Sequence, residues 1–391
     1  MSSKTREWFL RLATLAGSLF VCLLLLEVTV RLIEPREVAR YFFVQPDSVV
    51  HHRFIPLAKS RFKTSSFDTH YEINSLGLRD KEYPVKKPAG STRILMLGDS
   101  FTEGIGVEAN ETFSKVLEGL LNGEGTAEKY EVINAGVGSY SPLPEYLYLK
   151  TAGLKLDPDV VVLNLDLSDA YDDIQYTKLA RFDAAGRPLG VSPDPVQQNE
   201  GWWARKLVAI KDFLRENTRL YNFITLRIGR YIEGTQHEGS ALGDLRWDKY
   251  AMLRPNYTCN DQDWYLTHKY ILLVRDLLKE RGIRFVLTVY PYGMQVSPRE
   301  FNAGRQFWGF RPDTLYSTQP QDSVEEFCKR ENIAVINTCQ GFRESSASQY
   351  PMYIDDNGHW TATGQKVFAQ ILFRELRARR VLIDGETLST P

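Results

Sequence analysis

The sequence predicts an α/β protein: a central, mostly parallel sheet with helices on both faces, a three-layer αβα sandwich, preceded by a transmembrane helix and interrupted by a helical insertion. Three observations predict it. From Arg93 onward, short continuous apolar runs alternate with helical segments, as in a parallel sheet covered on both sides. Residues 12–26 are almost wholly apolar, and with their flanks they approach the roughly 20 residues that cross a bilayer. Between Asp173 and Asp261 the alternation stops and helical spacing of apolar residues replaces it.

Residues 1–34 read as a cytoplasmic tail and signal anchor. Lys4, Arg6 and Arg11 precede the apolar run, so the positive-inside tendency keeps the N-terminus in the cytoplasm and sends the rest outward. Residues 12–33 then meet the lipid bilayer, with Glu27 and Arg31 spaced to pair at its outer boundary. No small-x-small site follows the apolar core cleanly, which favours an uncleaved anchor over a cleaved signal or a surface helix.

Residues 35–90 are rich in proline and polar side chains and read as a membrane-proximal arm. Within it, Asn74 to Arg79 looks like a turn between two extended pieces, Arg79 like a solvated surface arginine or a ligand for a carboxylate, and His51-His52 like part of a polar surface loop.

The main domain is expected over 91–381, with residues 382–391 as a tail. Ile94 to Leu97 reads as a buried strand, followed by a helix after Ser100 and another over Thr112 to Leu121. Val132 to Asn134 reads as a strand, Pro144 to Leu154 as a helix, and Val160 to Leu165, after Asp157-Pro158, as a strong strand. Leu266 to Lys279 is a helix that Gly282 ends, and Phe285 to Tyr290 a strand. Ser323 to Lys329 and Ile333 to Asn337 form the next helix and strand, and Ala362 to Arg379 is a final amphipathic helix. The insertion, about 174–261, carries Trp202-Trp203 and a helical series from Leu207 to Ile228. It reads as a helical cap on the main domain, the other readings being a lid, an element that recognises an extended substrate, and a basic membrane-surface helix.

Composition excludes some functions and permits others. With 391 residues, 43% of them hydrophobic, the chain can bury a large core. Its 48 Lys and Arg balance 49 Asp and Glu, which argues against a nucleic-acid partner. The histidines and cysteines show no metal-ligand spacing, so no metal and no cofactor is expected. Cys259, Cys328 and Cys339 would face an oxidising compartment, where a local Cys328–Cys339 bridge is open and Cys259 stays unpaired.

Loops beyond the carboxyl ends of parallel strands gather ligand-binding groups. Ser100 follows the first strand, Asn134 to Ser139 the second and Ser168 to Asp173 the third, while Asp356 to His359 precedes the last helix. A serine attacks only when a base takes its proton. His359 is placed to be that base, and Asp356 to fix its tautomer and stabilise its charged form.

The segments Gly98-Asp99-Ser100-Phe101-Thr102-Glu103-Gly104 and Asp356-Asn357-Gly358-His359-Trp360 resemble the first and last blocks of the SGNH, or GDSL-like, hydrolase superfamily, in a membrane-anchored extracytoplasmic form. The resemblance spans roughly Arg93 to Arg379 and implies a flavodoxin-like fold. It implies Ser100 as nucleophile, His359 as general base and Asp356 as orienting acid, with Asp355 the neighbouring alternative. The oxyanion hole would take the Ser100 N–H, an N–H of Gly138 or Ser139, and Ser168, which stands in Asp166-Leu167-Ser168-Asp169 where the family has a donor asparagine. The implied function is hydrolysis of an acyl ester on an envelope glycan or another membrane-associated molecule. The alternatives are an O-acetyltransferase of an envelope polysaccharide, with a membrane acyltransferase as partner, and a non-catalytic envelope binding or assembly protein. The implied location is the bacterial cytoplasmic membrane, single-pass, with the main domain in the periplasm or outside the cell.

Overall fold

The structure, a computed structural model, describes residues 3–33, 43–64, 66–123, 129–193, 248–254, 257–379 and 381–382, together with 210, 214, 218–221 and 224. Most of the predicted insertion, including Trp202-Trp203, lies outside the described residues. The chain divides into two compact units, Met1–Val38 with Val196–Gln236, and Ala39–Pro195 with His237–Pro391.

In the first unit, α1 (Ser3–Ile33) runs without proline and with Gly17 as its single glycine. Its segment Thr5–Leu32 is long and apolar enough to cross a membrane, and none of its most apolar stretch is buried. Glu27 pairs with Arg31 at 2.6 Å and accepts the backbone N–H groups of Arg219 at 2.9 Å and Leu220 at 2.8 Å.

The second unit opens with two antiparallel hairpins, β1 (Val44–Asp47) with β2 (His51–Phe54), and β3 (Lys59–Lys63) with β4 (Asp68–Glu72). These fall in the segment predicted as an arm. Phe43, Phe54 and Tyr71 are fully buried in the main core, and the Phe43 and Tyr71 rings stack at 4.3 Å. His51 and His52 lie on a strand rather than in a surface loop. Arg79 corrects the surface reading outright, since it is 1% exposed. Its guanidinium lies over the Tyr71 ring and donates to the carbonyls of Glu103, Gly104, Val107 and His70. Burial of a cation is tolerable because these carbonyl dipoles take up the hydrogens of both terminal nitrogens, Nε having no hydrogen-bond partner among the described residues.

Next come β5 (Ser91–Leu97), α2 (Ser100–Glu103), α3 (Phe113–Leu121), β6 (Lys129–Asn134), α4 (Pro142–Thr151), β7 (Val160–Leu165) and α5 (Asp169–Leu179). A short hairpin, β8 (Ala180–Phe182) with β9 (Pro188–Val191), precedes the undescribed stretch. After it come α6 (Tyr265–Lys279), β10 (Arg284–Val289), α7 (Gly293–Val296), α8 (Asn302–Phe307), α9 (Gln319–Arg330), β11 (Ala334–Asn337), α10 (Cys339–Ser345) and α11 (Ala362–Ala378).

The five long-predicted strands form one sheet in the order β11-β10-β7-β5-β6, with every pair parallel. Counted along the chain this is the doubly wound 2-1-3-4-5 order, in which ligands bind where the winding reverses. That switch point lies between β5 and β7. Residues 160–163 and 94–97 are fully buried, as strands covered on both faces require. α4, α5 and α6 pack together, while α3 packs on α11.

Cys259, Cys328 and Cys339 are all buried free thiols, so Cys259 is unpaired as expected and the bridge left open between Cys328 and Cys339 is not formed. Burial pushes the Cys328 thiol up to about 12, which makes it an inert packing residue.

Candidate active site

At the end of β5 the backbone turns sharply into α2. Gly98 makes this turn possible: it sits at φ 155°, and a Cβ there would lie 2.1 Å from Thr102 Oγ1. Asp99 caps the helix by accepting the Phe101 N–H at 2.9 Å. Ser100 is therefore the first helical residue, and its N–H has no partner within the helix.

The histidine arrives from the far end of the sequence. Ile354 and His359 close a tight loop through a 2.8 Å backbone bond and Gly358 turns it at φ 78°. Trp360, fully buried, anchors that loop against Phe101, Tyr290 and Phe368. The result is a distance of 2.8 Å between His359 Nε2 and Ser100 Oγ, across 259 residues of chain.

The opposite ring nitrogen, Nδ1, lies 3.4 Å from Asn357 Oδ1, and the same oxygen accepts the His359 backbone N–H at 3.0 Å. With Nδ1 carrying the proton, Nε2 is left as the acceptor a general base needs. Asp356 is exposed and its carboxylate accepts the Ser66 hydroxyl. Asp355 accepts the N–H groups of Asn302 and Ala303 and so caps α8. The structure thus brings Ser100 and His359 together and holds both neighbouring aspartates on other partners.

The loop after β6 is pressed against α2. A Cβ on Gly136 would lie 2.3 Å from the Glu103 nitrogen, so only glycine permits the approach. Val137 donates to Gly98 O at 3.1 Å. Gly138 N–H is spent on the buried Glu103 carboxylate at 2.6 Å, and Tyr71 OH takes the other oxygen at 2.9 Å. His52 Nε2 lies 2.9 Å from Gly138 O, and Tyr176 OH donates to Ser139 O at 2.8 Å. Ser139 itself is exposed and held at φ 68°, a conformation uncommon for a residue with a side chain. Its N–H makes no hydrogen bond among the described residues.

Ser168 precedes α5, donates its N–H to Asp166 Oδ1 at 3.1 Å and its hydroxyl to Asp172 Oδ2 at 3.3 Å. Burial pushes Asp172 up to about 7, with the Lys249 charge pulling it back. The Ser168 hydroxyl is thus held by a carboxyl of its own helix.

Four acids crowd beneath this edge of the sheet. Asp99, Glu145, Asp166 and Asp169 are all under 5% exposed. Burial first, and then repulsion from neighbouring carboxylates, Asp173 being the neighbour of Glu145, drive Asp99, Glu145 and Asp169 well above the ordinary carboxylate range. Tyr290 donates to Asp99 Oδ1 at 3.2 Å, and Tyr292 donates to Asp166 Oδ1. No group of His, Cys, Asp and Glu suited to a metal ion occurs among the described residues. Sequence reasoning missed this cluster, as it missed Glu103, His52 and Asn357. The available signal was positional, since Tyr290-Pro291-Tyr292 follows β10 at the same carboxyl edge as Ser100 and Asp166.

No family model matches the chain, and no curated protein matches it. Among solved structures it is similar to an acetyl xylan esterase, AlAXEase, at 14% identity and TM-score 0.37, covering 73% of this chain and 99% of that one. A catalytic mutant of Axe2, an acetylxylan esterase from Geobacillus stearothermophilus, gives 14% identity and TM-score 0.38 over 73% and 94%. A GDSL-like lipase from Bacteroides thetaiotaomicron gives 14% and TM-score 0.33 over 73% and 88%. Likeness of this size assigns no residue, and the chemistry below rests on the site's own atoms.

Proposed function

We propose that this protein is a serine-dependent acyl-ester hydrolase, anchored by α1 and acting outside the cytoplasmic membrane on an acylated envelope glycan or another membrane-associated ester. The observation that carries the reading is the 2.8 Å contact between Ser100 Oγ and His359 Nε2, within the reach a nucleophile and its base require.

His359 removes the Ser100 proton as Oγ attacks the ester carbonyl. The tetrahedral intermediate places negative charge on the former carbonyl oxygen, where aligned N–H donors are worth most. The Ser100 and Ser139 N–H groups fill that role; Gly138 contributes by fixing the turn, its own N–H being held by Glu103. His359 returns the proton to the leaving alcohol, which departs and leaves an acyl group on Ser100. Water, deprotonated by His359, then releases the acid.

Asp356 is the orienting acid in this reading. It exchanges Ser66 for His359 in the substrate complex, since catalytic hydrogen bonds are often made only there. Ser168 is the weak point of the oxyanion hole. With its hydroxyl on Asp172, the site lacks one side-chain donor, a loss of roughly 3 kcal/mol in the transition state. The second reading is transfer of the acyl group to a sugar hydroxyl, in which a well-held acceptor replaces water and a membrane acyltransferase supplies the acyl group.

The test is covalent labelling of the purified full-length protein by a serine-directed phosphonate. Labelling that Ser100→Ala abolishes, together with loss of acyl-ester turnover, supports the assignment. A folded wild type that does not label supports instead a binding or assembly role. Added glycan acceptors divide the two reactions: acylated glycan formed at the expense of free acid means transfer.

A further inference from the structure

Glu27 is the single charged residue between Arg11 and Arg31 of α1. Those two arginines lie twenty residues apart, which along a helix is about 30 Å, the thickness of bilayer hydrocarbon. With α1 crossing the bilayer between them, Glu27 sits one turn, about 6 Å, inside the outer boundary. A carboxylate at that depth is costly unless its charge and its lone pairs are met.

They are met from two directions. Arg31 Nε lies 2.6 Å from Oε1 and supplies the opposite charge. The N–H groups of Arg219 and Leu220 then donate to Oε1 at 2.9 Å and to Oε2 at 2.8 Å. Arg219 also donates from its guanidinium to the Arg31 carbonyl at 3.0 Å. Thr218 N–H bonds back to Leu214 O at 2.9 Å, and the chain is helical again at Arg219, Leu220, Tyr221 and Ile224. Glu27 thus caps the first N–H groups of this turn, which have no partner within their own helix.

The cap fixes depth as well as direction. Backbone groups bonded to Glu27 lie at the level of Glu27, so Arg219 and Leu220 share its place below the outer boundary. Ile224, one turn beyond Leu220, is 43% exposed. Exposure of one isoleucine says nothing by itself; the depth set by Glu27 says what covers it. We propose that Arg219 to Ile224 is a second membrane-contacting segment, held in the outer interfacial layer by Glu27, with Ile224 against lipid acyl chains. The Arg31 side chain, 51% exposed, is then at the level of the lipid phosphates, which arginine pairs well. This placement rests on α1 crossing the bilayer, and it gives the protein a lipid contact beyond the anchor itself.

The test is nitroxide accessibility in the full-length protein, reconstituted into phosphatidylethanolamine and phosphatidylglycerol vesicles. A Cys22→Ala background removes the exposed thiol, the other three being buried. Spin labels are placed one at a time through Ile224→Cys, through Leu19→Cys on the exposed surface of α1, and through Ala184→Cys in the exposed turn between β8 and β9. Oxygen concentrates in lipid and a nickel chelate stays in water. The oxygen-to-nickel ratio at Ile224→Cys is expected to match that at Leu19→Cys, several-fold above Ala184→Cys. Adding Glu27→Ala is expected to drop it to the Ala184→Cys level while Leu19→Cys keeps its own. Nickel access at Ile224→Cys overturns the proposal, and so does exclusion of both reagents, which would mean packing on protein. A lipid signature that survives Glu27→Ala overturns the role of Glu27. Nickel access at Leu19→Cys removes the membrane span of α1 and this inference with it, whereas a lipid signature there leaves the anchor standing whatever Ile224→Cys shows.

Discussion

Replacing Glu103 by glutamine tests whether the turn at Gly138 belongs to the reaction. The Glu103 side chain is fully buried and serves two donors from different parts of the fold, Gly138 N–H at 2.6 Å and Tyr71 OH at 2.9 Å. A glutamine presents one acceptor oxygen and one NH2 to the same two donors, so one of them must face another donor. A hydrogen bond to a charged acceptor is worth about 1.5–3 kcal/mol, and a buried donor left without one costs about as much. The expected loss is about 2–3 kcal/mol of stability. For a domain of this size that is about 5–10 °C in Tm. If the unpaired donor is Gly138 N–H, the turn shifts, Ser139 N–H leaves the oxyanion position, and kcat falls by about 10²-fold. Tyr71→Phe in the Glu103→Gln background lets the single oxygen turn to Gly138, so kcat is expected to recover while Tm stays low. The assay is hydrolysis of an activated acetyl ester followed beside the melting curve. A lowered Tm with unchanged kcat in Glu103→Gln would refute the coupling of this turn to the reaction, and no change in either would refute the bond itself.

The remaining predictions concern the histidine, the stability profile and the turn after β5. Asp356→Asn is expected to lower kcat by about 10²–10⁴-fold, as loss of a triad acid does, and Asn357→Ala by less than tenfold; steady-state kinetics in the reverse order would give the orienting role to Asn357. Burial holds Asp173 up to about 7 against an ordinary 3.8, despite its bonds from Ser141, Thr267 and Leu143. Because the native state then binds its proton more tightly than the unfolded chain, this stabilisation is complete below about pH 4 and is lost as pH rises through 7, an effect of up to ~4 kcal/mol. Urea midpoints at pH 5 and pH 8 are expected to differ less in Asp173→Asn than in wild type, and an unchanged difference would rule this out. Part of the slope survives, since Asp172 carries the same sign. Gly98→Ala drives a Cβ to within 2.1 Å of Thr102 Oγ1 at φ 155°; a loss of about 2–4 kcal/mol is expected from clash and backbone strain together, and a wild-type melting curve would contradict it.

Much of the sheet was legible because its strands are continuous apolar runs between helices. The expected Val160 to Leu165 agrees with β7 at both ends, and the other four strands differ at their edges by one to three residues. Ser100 and His359 were legible as residue types at the right edge of the sheet. The hairpins over residues 44–72 were not, because strands of four or five residues dilute a two-residue alternation with His, Lys and Arg. In β4 only Thr69 and Tyr71 are buried. Arg79 misled for a related reason: an arginine's destination depends on which carbonyls surround it, and Glu103, Gly104 and Val107 lie 24 to 28 residues away. Ser168 was legible as a substitution, but the direction of its hydroxyl was set by Asp172, one helical turn on.

The 259 residues that separate Ser100 from His359 also order events in time. A chain made from its N-terminus carries the hydroxyl through most of synthesis with no base to activate it. His359, the proposed base, comes within reach only when the Trp360 loop is seated against Phe101, Tyr290 and Phe368. On the proposed mechanism partial chains and misfolded ones are therefore chemically silent, and any turnover would report completion of the whole architecture rather than the presence of any one part.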